Sequence, residues 1–316
     1  MKISSCSRAS HTSYSNKASL TLGLFLILIF STYFVAEAKP KVKALFAKGS
    51  IPKKLAGGFQ FAEGPSCDKD GNIFFTDQNR NKIFKWSTHN KLTLFGENFG
   101  RANGTYFNKD GALITCSDEK NELWSITPSG LATVLIRDFE GKKLNGPNDL
   151  WIAPNGGIYL TDPFYKRPWW DHEKSEQQGE YVYYLAPNAN RLIKVIDDLV
   201  QPNGIVGTPD GKYLYISDIR SKKTWRYQIG SEGQLTDKHL FAEKGSDGMT
   251  IDKNGNIYLT GRGVTVLNSD GVEIANIATP ESWTTNICFG GKDRRLLFIT
   301  AVKSVYGVRM KVKGVE

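Results

Sequence analysis

The sequence predicts an all-β protein, a six-bladed β-propeller with four-stranded blades. Three observations support this prediction: one short motif recurs six times, its copies lie about 40 to 45 residues apart with one longer interval, and no helical periodicity of any length competes with it. A period of that size with several short strands per unit is typical of one four-stranded propeller blade. Six such units account for nearly the whole chain.

Each copy of the motif is a polar turn followed by a strand in which β-branched and aromatic residues alternate with others. Asp-Gly or Asn-Gly at the turn centre is a strong local signal for a β-hairpin. The copies are CDKDGNIFFTD from Cys67, FNKDGALITCSD from Phe107, IAPNGGIYLTD from Ile152, GTPDGKYLYISD from Gly207, IDKNGNIYLTG from Ile251 and the degraded FGGKDRRLLFIT from Phe289. The turn glycines are Gly71, Gly111, Gly156, Gly211 and Gly255, with Arg294 at the sixth place, so successive intervals are 40, 45, 55, 44 and 39 residues.

The N-terminus predicts a secretory signal peptide over residues 1–38. Three basic residues precede an uncharged stretch at residues 20–35, which ends at the small-x-small sequence Ala36-Glu37-Ala38. This apolar core is shorter than the roughly 20 residues of a spanning helix. We therefore expect an exported protein, periplasmic or secreted, whose propeller domain occupies residues 39–316. The alternative is that the segment is kept as a membrane anchor. We expect residues 42–47 to supply the outer strand that closes the ring.

Composition argues against nucleic acid as a partner. Lys and Arg number 41 against 32 Asp and Glu, a net charge of +9, but the basic residues are scattered through turns rather than clustered with aromatic residues. Beyond the predicted signal peptide, Cys67, Cys116 and Cys288 each lie in an apolar run without a zinc-binding spacing. An oxidising location permits one disulfide, and the odd number leaves at least one free thiol.

An amide or carboxylate stands eight residues before the turn centre in every copy. These positions are Glu63, Asn103, Asn148, Asn203, Asp247 and Asn286. They fall on the innermost strand of each predicted blade, so they form a ring around the central channel. Asparagine can also seal a narrow channel by bonding to backbone, which is the structural alternative for any single position.

The two carboxylates favour a cation in this channel. Burying Glu63 and Asp247 without a basic partner in the ring would be costly, and a bound cation removes that cost. Donors that are all oxygen atoms suit Ca²⁺ first, with Mg²⁺, Mn²⁺ or Zn²⁺ as alternatives. The sequence therefore predicts a central metal-binding channel.

Five motifs in register resemble the gluconolactonase, regucalcin and luciferin-regenerating-enzyme family. They are FAEGP at Glu63, GPNDL at Asn148, TDPFY from Thr161, QPNGI at Asn203 and SDGM at Asp247, and the resemblance runs from about residue 55 to residue 310. It implies that Glu63, Asn148, Asn203 and Asp247 hold one metal ion. It also implies hydrolysis of an aldonolactone or related ester, with Asp247 as catalytic base as well as ligand.

The residue types agree with that chemistry. A divalent ion can polarise a lactone carbonyl and stabilise the oxyanion without a protein nucleophile. The chain has no G-x-S-x-G motif, which argues against a serine hydrolase. We therefore expect a small-molecule lactone or ester as the partner, with no nucleic acid and no membrane beyond export or an N-terminal anchor.

The 55-residue interval contains an insertion at residues 163–179, PFYKRPWWDHEKSEQQG. Inserted loops on one propeller face often cover a substrate, although an exposed loop with incidental tryptophans is the alternative. We predict that Tyr165 and His172 in this loop, together with Asn103 of the ring, bind the substrate, and that Asp162 anchors the loop. The loop departs from the glycine-rich form of the resembled family.

Two other functions stay open at this point. A related promiscuous esterase or phosphotriesterase of the paraoxonase type would use the same ring on a different substrate. A non-catalytic propeller would use it only to bind calcium or a sugar.

Overall fold

The computed structural model describes residues 45–315. The predicted signal peptide lies outside the described residues, so the expected export stays a prediction. Within the described part of the chain, no helix is long and apolar enough to cross a bilayer.

The described chain is all-β, as predicted, with two single-turn 3₁₀ helices at Gln78–Arg80 and Asp118–Lys120. In chain order, the strands of the first three repeats are β1 (Lys53–Cys67), β2 (Ile73–Asp77), β3 (Lys82–Trp86), β4 (Leu92–Glu97), β5 (Ala102–Phe107), β6 (Leu113–Ser117), β7 (Glu122–Ile126), β8 (Ala132–Ile136), β9 (Asp138–Phe139), β10 (Lys142–Lys143), β11 (Leu150–Ile152), β12 (Ile158–Asp162), β13 (Tyr181–Leu185) and β14 (Leu192–Ile196). The remaining strands are β15 (Pro202–Gly207), β16 (Tyr213–Asp218), β17 (Lys223–Ile229), β18 (Leu235–Ala242), β19 (Met249–Ile251), β20 (Ile257–Gly261), β21 (Gly263–Leu267), β22 (Glu273–Ile277), β23 (Ile287–Gly290) and β24 (Leu296–Arg309).

All six predicted hairpins form. Each motif joins two antiparallel strands, namely β1 to β2, β5 to β6, β11 to β12, β15 to β16, β19 to β20 and β23 to β24. The five turn glycines have φ between +70° and +93°, the left-handed conformation that this turn requires. Arg294 has φ +57°, so the degraded sixth copy keeps the same turn despite its side chain.

The fold is propeller-like, but its sheets differ in number from the predicted six. Residues 45–315 form four four-stranded sheets, one six-stranded sheet and the small β9–β10 ribbon, so five sheets have four strands or more. The reason is that the first and last repeats share a sheet in the order β23-β24-β1-β2-β3-β4. Residues 53–57 of β1 pair with residues 304–307 of β24, while residues 62–67 of β1 pair with β2.

The predicted closing segment takes part in this junction. Residues 42–44 are outside the described range, but Phe46 forms a bridge with Met310. The Ala47 amide donates to the Arg309 carbonyl at 3.1 Å, and the Lys311 amide donates to the Leu45 carbonyl at 2.8 Å. Most of the closure nevertheless comes from β1, which the sequence did not identify for this role.

The core lies between neighbouring sheets rather than in one central cluster. Alternate strand residues face the adjacent sheet, as in the cluster that joins Trp151 and Tyr159 to Tyr215 and Ile257. The three cysteines beyond the predicted signal peptide are buried, and no disulfide forms between them.

Candidate functional site

The six inner strands of the repeats meet in a closed circle around one channel. Neighbouring repeats are joined by hydrogen bonds close to the ring positions. Between the fourth and fifth positions, they are joined by a close approach of their backbones instead. The bonds run from Thr76 Oγ1 to the Asn103 carbonyl (3.2 Å), from the Gly104 amide to the Asn148 carbonyl (2.7 Å), from Thr161 Oγ1 to the Asn203 carbonyl (2.8 Å), from Thr260 Oγ1 to the Thr285 carbonyl (2.9 Å) and from Thr285 Oγ1 to the Ala62 carbonyl (2.6 Å). The six positions therefore share one narrow ring.

In the sequence, glycine follows four of the six ring residues. The next repeat comes so close at these positions that a side chain would not fit. A Cβ atom on Gly104 would lie 2.6 Å from the Asn148 carbonyl oxygen, closer than real side chains come. A Cβ atom on Gly248 would overlap the side chain of Asn286. Because glycine has no side chain, the inner strands can approach each other closely at these contacts. This close approach brings the six ring side chains together.

The two carboxylates of the ring are close enough to repel each other. Glu63 is 4% exposed, and burial, followed by the charge of Asp247, raises its pKa well above the ordinary range. Burial also raises the pKa of Asp247 to about 6, although hydrogen bonds from Trp283 and Asn203 and the charge of Arg167 oppose the shift. Within residues 45–315, neither carboxylate forms an ion pair with a basic side chain.

Two amide oxygens of the ring have no protein partner. Asn203 is 2% exposed and donates from Nδ2 to the Tyr165 hydroxyl at 2.9 Å, which leaves its Oδ1 buried without a hydrogen bond. Asn103 Oδ1 is likewise buried and unpartnered. By contrast, both polar atoms of the Asn286 side chain have a partner, because its Nδ2 donates to Asp149 at 3.2 Å and its Oδ1 accepts from the Ile287 amide at 2.8 Å.

This donor set fits a hard divalent cation. Buried polar atoms normally have a partner, so unpartnered amide oxygens near two carboxylates that lack a basic partner form a donor set suited to a cation. No group of three or more His, Cys, Asp or Glu side chains that could hold a metal occurs in the described range. A set with two carboxylates and otherwise amide oxygens does not have that composition, and it is the oxygen-only type that Ca²⁺ accepts.

Trp283 is a site residue that the sequence did not predict. Its indole Nε1 donates to Asp247 Oδ2 at 2.7 Å. This bond fixes the rotation of the carboxylate and occupies one of its oxygens. Because Trp283 lies in a loop 36 residues beyond Asp247 and in no repeated motif, no local pattern points to the contact.

In three repeats, a buried aspartate at the end of the second strand holds the segment that precedes the ring residue. Asp77 accepts from the Phe61 amide at 2.9 Å, Asp162 from the Asn145 and Gly146 amides at 2.8 and 2.9 Å, and Asp218 from the Val200 and Gln201 amides at 3.0 Å. These segments precede Glu63, Asn148 and Asn203. The signal for this role is the Thr-Asp or Ser-Asp that ends these three copies of the motif. Asp162 is an anchor, as predicted, but its side chain holds the segment before Asn148 rather than the insertion.

The insertion at residues 163–179 is held by the second repeat. Its Arg167 Nε donates to Asp118 Oδ2 at 3.0 Å, its Trp169 Nε1 to Asp118 Oδ1 at 2.9 Å and its Trp170 Nε1 to the Asp118 carbonyl at 2.9 Å. The two tryptophans are therefore anchoring residues rather than incidental exposed ones.

The two predicted loop residues lie in different surroundings. Tyr165 reaches the ring through Asn203, as given above. His172 stacks on Trp170 with ring centroids 4.9 Å apart and contacts Asp171 through Nδ1 at 3.2 Å, and no contact joins it to a ring residue. A substrate-binding role for Tyr165 and Asn103 therefore has a geometric basis, whereas the role of His172 stays a prediction from the loop composition.

Comparison with known sequences identifies similar proteins over most of the chain. Residues 61–303 match the family model described as SMP-30/Gluconolactonase/LRE-like region. The chain is 29% identical over 311 residues to a gluconolactonase of Zymomonas mobilis, and the match covers 89% of this chain and 87% of that protein.

Solved structures show the same architecture. A gluconolactonase of Xanthomonas campestris is 25% identical, with a TM-score of 0.80 over 86% of this chain and 93% of that chain. A calcium-binding protein of Agrobacterium tumefaciens, a regucalcin, is 21% identical, with a TM-score of 0.70 over 84% of this chain and 95% of that chain. The second likeness is one of fold alone.

Proposed function

The chain belongs to the SMP-30/gluconolactonase/LRE-like family, and from this premise we propose that it hydrolyses a sugar lactone with one divalent cation as cofactor. The observation that carries the proposal is the pair of carboxylates formed by buried Glu63 and half-buried Asp247, beside the amide oxygen of Asn203, which has no hydrogen-bond partner among residues 45–315. A buried ring of this kind is costly without a cation and suited to one. The gluconolactonases that resemble the chain support the substrate class.

Glu63, Asn148, Asn203 and Asp247 are the residues that would hold the cation. Oxygen donors favour Ca²⁺, and the regucalcin of similar fold is described as a calcium-binding protein. Mg²⁺, Mn²⁺ and Zn²⁺ are the alternatives, because carboxylate and amide sites are permissive. When bound, the cation supplies polarisation of the lactone carbonyl.

Asp247 is the residue that would take the proton of the attacking water. A carboxylate that is ionised near neutral pH can accept a proton from water. Trp283 donates to Oδ2, and an oxygen of Asp247 that is free of the cation would accept the proton. Asn103, a ring residue, and Tyr165, which is bonded to Asn203, would orient the sugar.

The experiment is hydrolysis of δ-gluconolactone by the purified protein, measured above the spontaneous rate before and after treatment with a chelator. We expect turnover that the chelator abolishes and Ca²⁺ restores, together with about one bound metal ion per chain by elemental analysis. Turnover that survives complete metal removal would contradict the cation. Absence of turnover with metal bound would favour a non-catalytic binding protein.

A substrate panel separates the proposal from its enzymatic alternative. An aryl ester and an organophosphate are compared with the sugar lactone at equal concentration. Preference for the lactone supports the proposed function, and preference for either other substrate supports an esterase or phosphotriesterase.

We further infer that the propeller has six blades, two of which are joined. β24 changes direction at Val302, where φ is +49°, and the pairing of β1 shifts register between Gly57 and Ala62. Phe75 of β2 and Phe298 of β24 are not on paired strands, yet their ring centroids are 5.4 Å apart. The six-stranded sheet therefore folds back on itself, and its two halves would act as the first and last blades.

A further inference from the structure

Asp118 connects two repeats at the face that carries the insertion. The residue is 1% exposed and follows the last residue of β6, so its position is fixed by the second repeat. All of the bonds that it accepts from the insertion come from Arg167, Trp169 and Trp170, as described above. The insertion is thus fixed to the second repeat through three residues within a four-residue segment.

Arg167 uses only one of its three guanidinium nitrogens in this clamp. Nε donates to Asp118, whereas the structure gives its two terminal nitrogens no hydrogen bond to any described residue. The side chain is 18% exposed, and its guanidinium carbon lies 5.3 Å from the ring centroid of Tyr165. Because the Tyr165 hydroxyl accepts from Asn203, only one residue separates the guanidinium from the ring.

The charge of Arg167 lies close to the candidate site, because its guanidinium stands beside Tyr165, the residue to which Asn203 of the ring donates. Asp118 balances this charge through a direct ion pair. An arginine in such a pair keeps its terminal N–H donors but does not require an anionic ligand. A neutral ligand rich in oxygen acceptors matches these two properties.

We propose that Arg167 is a specificity-determining residue, which donates hydrogen bonds from its terminal nitrogens to hydroxyl oxygens of a polyhydroxylated lactone. Asp118 is the positioning residue that aims the guanidinium. This inference rests on the proposed lactone hydrolysis and adds the feature of the substrate that is recognised. In this proposal, Arg167 recognises the sugar hydroxyls, whereas the ring residues act at the lactone carbonyl.

The test compares δ-gluconolactone with δ-valerolactone, which has the same ring and no hydroxyl groups. Arg167→Met keeps the length of the side chain and removes its donors. We expect kcat/KM for δ-gluconolactone to fall about 10-fold to 100-fold, the range for loss of charged hydrogen bonds, while that for δ-valerolactone changes less than about twofold. Lys166→Met is the matched control, since Lys166 is a neighbouring exposed cation paired only with Glu173, and it should alter neither substrate.

A binding measurement makes the test independent of turnover. D-glucono-δ-lactam and δ-valerolactam, which resist hydrolysis, are titrated calorimetrically into the wild-type protein and the variants. Arg167→Met should weaken only the hydroxylated lactam, and Asp118→Asn should weaken it in the same direction. If the wild-type protein hydrolyses neither lactone, the proposed function fails, and the lactam titration still decides the role of Arg167.

Equal losses for both lactones in Arg167→Met would overturn the proposal, since they would show that the residue only supports the loop. No loss for either would overturn it as well. Arg167→Lys, which keeps the charge but lacks the planar pair of donors, supplies the same comparison if the methionine variant does not fold, and it should show an intermediate selectivity for the hydroxylated ligand.

Discussion

Asp247 combines features that a metal ligand alone would not need. Its carboxylate is held at one oxygen by Trp283 and has a raised pKa of about 6. Asp247→Asn keeps the size and one oxygen donor but removes the charge and the basicity. We expect turnover of δ-gluconolactone to fall more than about 100-fold, the lower end for loss of a general base.

Titration of Ca²⁺ into Asp247→Asn separates the two roles. If Asp247 acts as base, activity stays low after the cation site is saturated. Recovery to nearly the wild-type rate at saturating Ca²⁺ would show that Asp247 serves only as a ligand. Wild-type activity without added Ca²⁺ would remove it from the site.

Asp162 makes a prediction about stability and pH. Burial raises its pKa from 3.8 to about 7. Below about pH 4 the carboxyl is protonated in both the folded and the unfolded state, whereas above about pH 7 the folded state must hold a buried charge. The free energy of unfolding of the wild-type protein should therefore fall as pH rises from 4 to 8.

Asp162→Asn provides the reference for this measurement, because it cannot titrate. Relative to Asp162→Asn, the free energy of unfolding of the wild-type protein should fall by roughly 3 kcal/mol as the pH rises from 4 to 8. Urea denaturation at several pH values measures it. A difference that is independent of pH would show that the Asn145 and Gly146 amides stabilise the ionised form enough to cancel the effect of burial.

At the scale of an element, the sixth turn has Arg294 rather than glycine in the left-handed conformation, and the hydrogen bonds of its side chain explain this. Arg294 donates to the Asp68 carbonyl at 2.8 Å and to Cys67 Sγ at 2.8 Å, so it ties the last turn to the first. Arg294→Ala and Arg294→Gly both lose these bonds. Only the glycine variant also relieves the backbone strain, so we expect it to be more stable than the alanine variant by about 1 kcal/mol. Thermal denaturation of the two proteins compares them, and equal melting temperatures would show that the turn carries no strain.

Local elements were largely predictable from the sequence. The six hairpins follow from Asp-Gly and Asn-Gly turns with alternating strands, and Arg294 could be aligned because the spacing of eight residues to Asn286 is kept. The pairing of residues 53–57 with residues 304–307 was not predictable, because it joins segments about 250 residues apart that carry no repeat signal.

The same distinction holds for the site. The six ring positions could be proposed because each copy of the motif fixes their register, and the family resemblance selected Glu63, Asn148, Asn203 and Asp247 among them. Trp283 and the contacts of Asp118 with the insertion join loops of different repeats, and no periodic pattern records which loops meet. The anchoring aspartates lie within the motif, but the sequence does not show which backbone amides donate to them. Only the structure reveals their role.

For the whole molecule, closure of the ring should dominate stability. Removal of residues 1–57 would leave the outer half of β24 without its partner and expose an unpaired strand edge. We expect the melting temperature to fall by more than about 10 °C relative to a chain that lacks residues 1–44 only, with greater aggregation on heating. Equal melting temperatures of the two truncated chains would show that the junction is dispensable.

Removal of the proposed cation should also affect the whole molecule. A ligand that binds only the folded state stabilises it by mass action, and a cation at the ring would also relieve the repulsion between Glu63 and Asp247. We expect a chelator to lower the melting temperature and Ca²⁺ to restore it in a concentration-dependent way. Loss of the response in Glu63→Gln would locate it at the ring.

The junction of β1 with β24 also sets an order of events during biosynthesis. Glu63 leaves the ribosome early, but the strands that complete its surroundings, β23 and β24, are the last to be made. Closing so long a loop is slow and entropically costly. The first strand must wait, with an open edge, until nearly the whole polypeptide exists. The two carboxylates of the ring therefore reach their final surroundings only in a finished chain, and no nascent fragment can assemble the site.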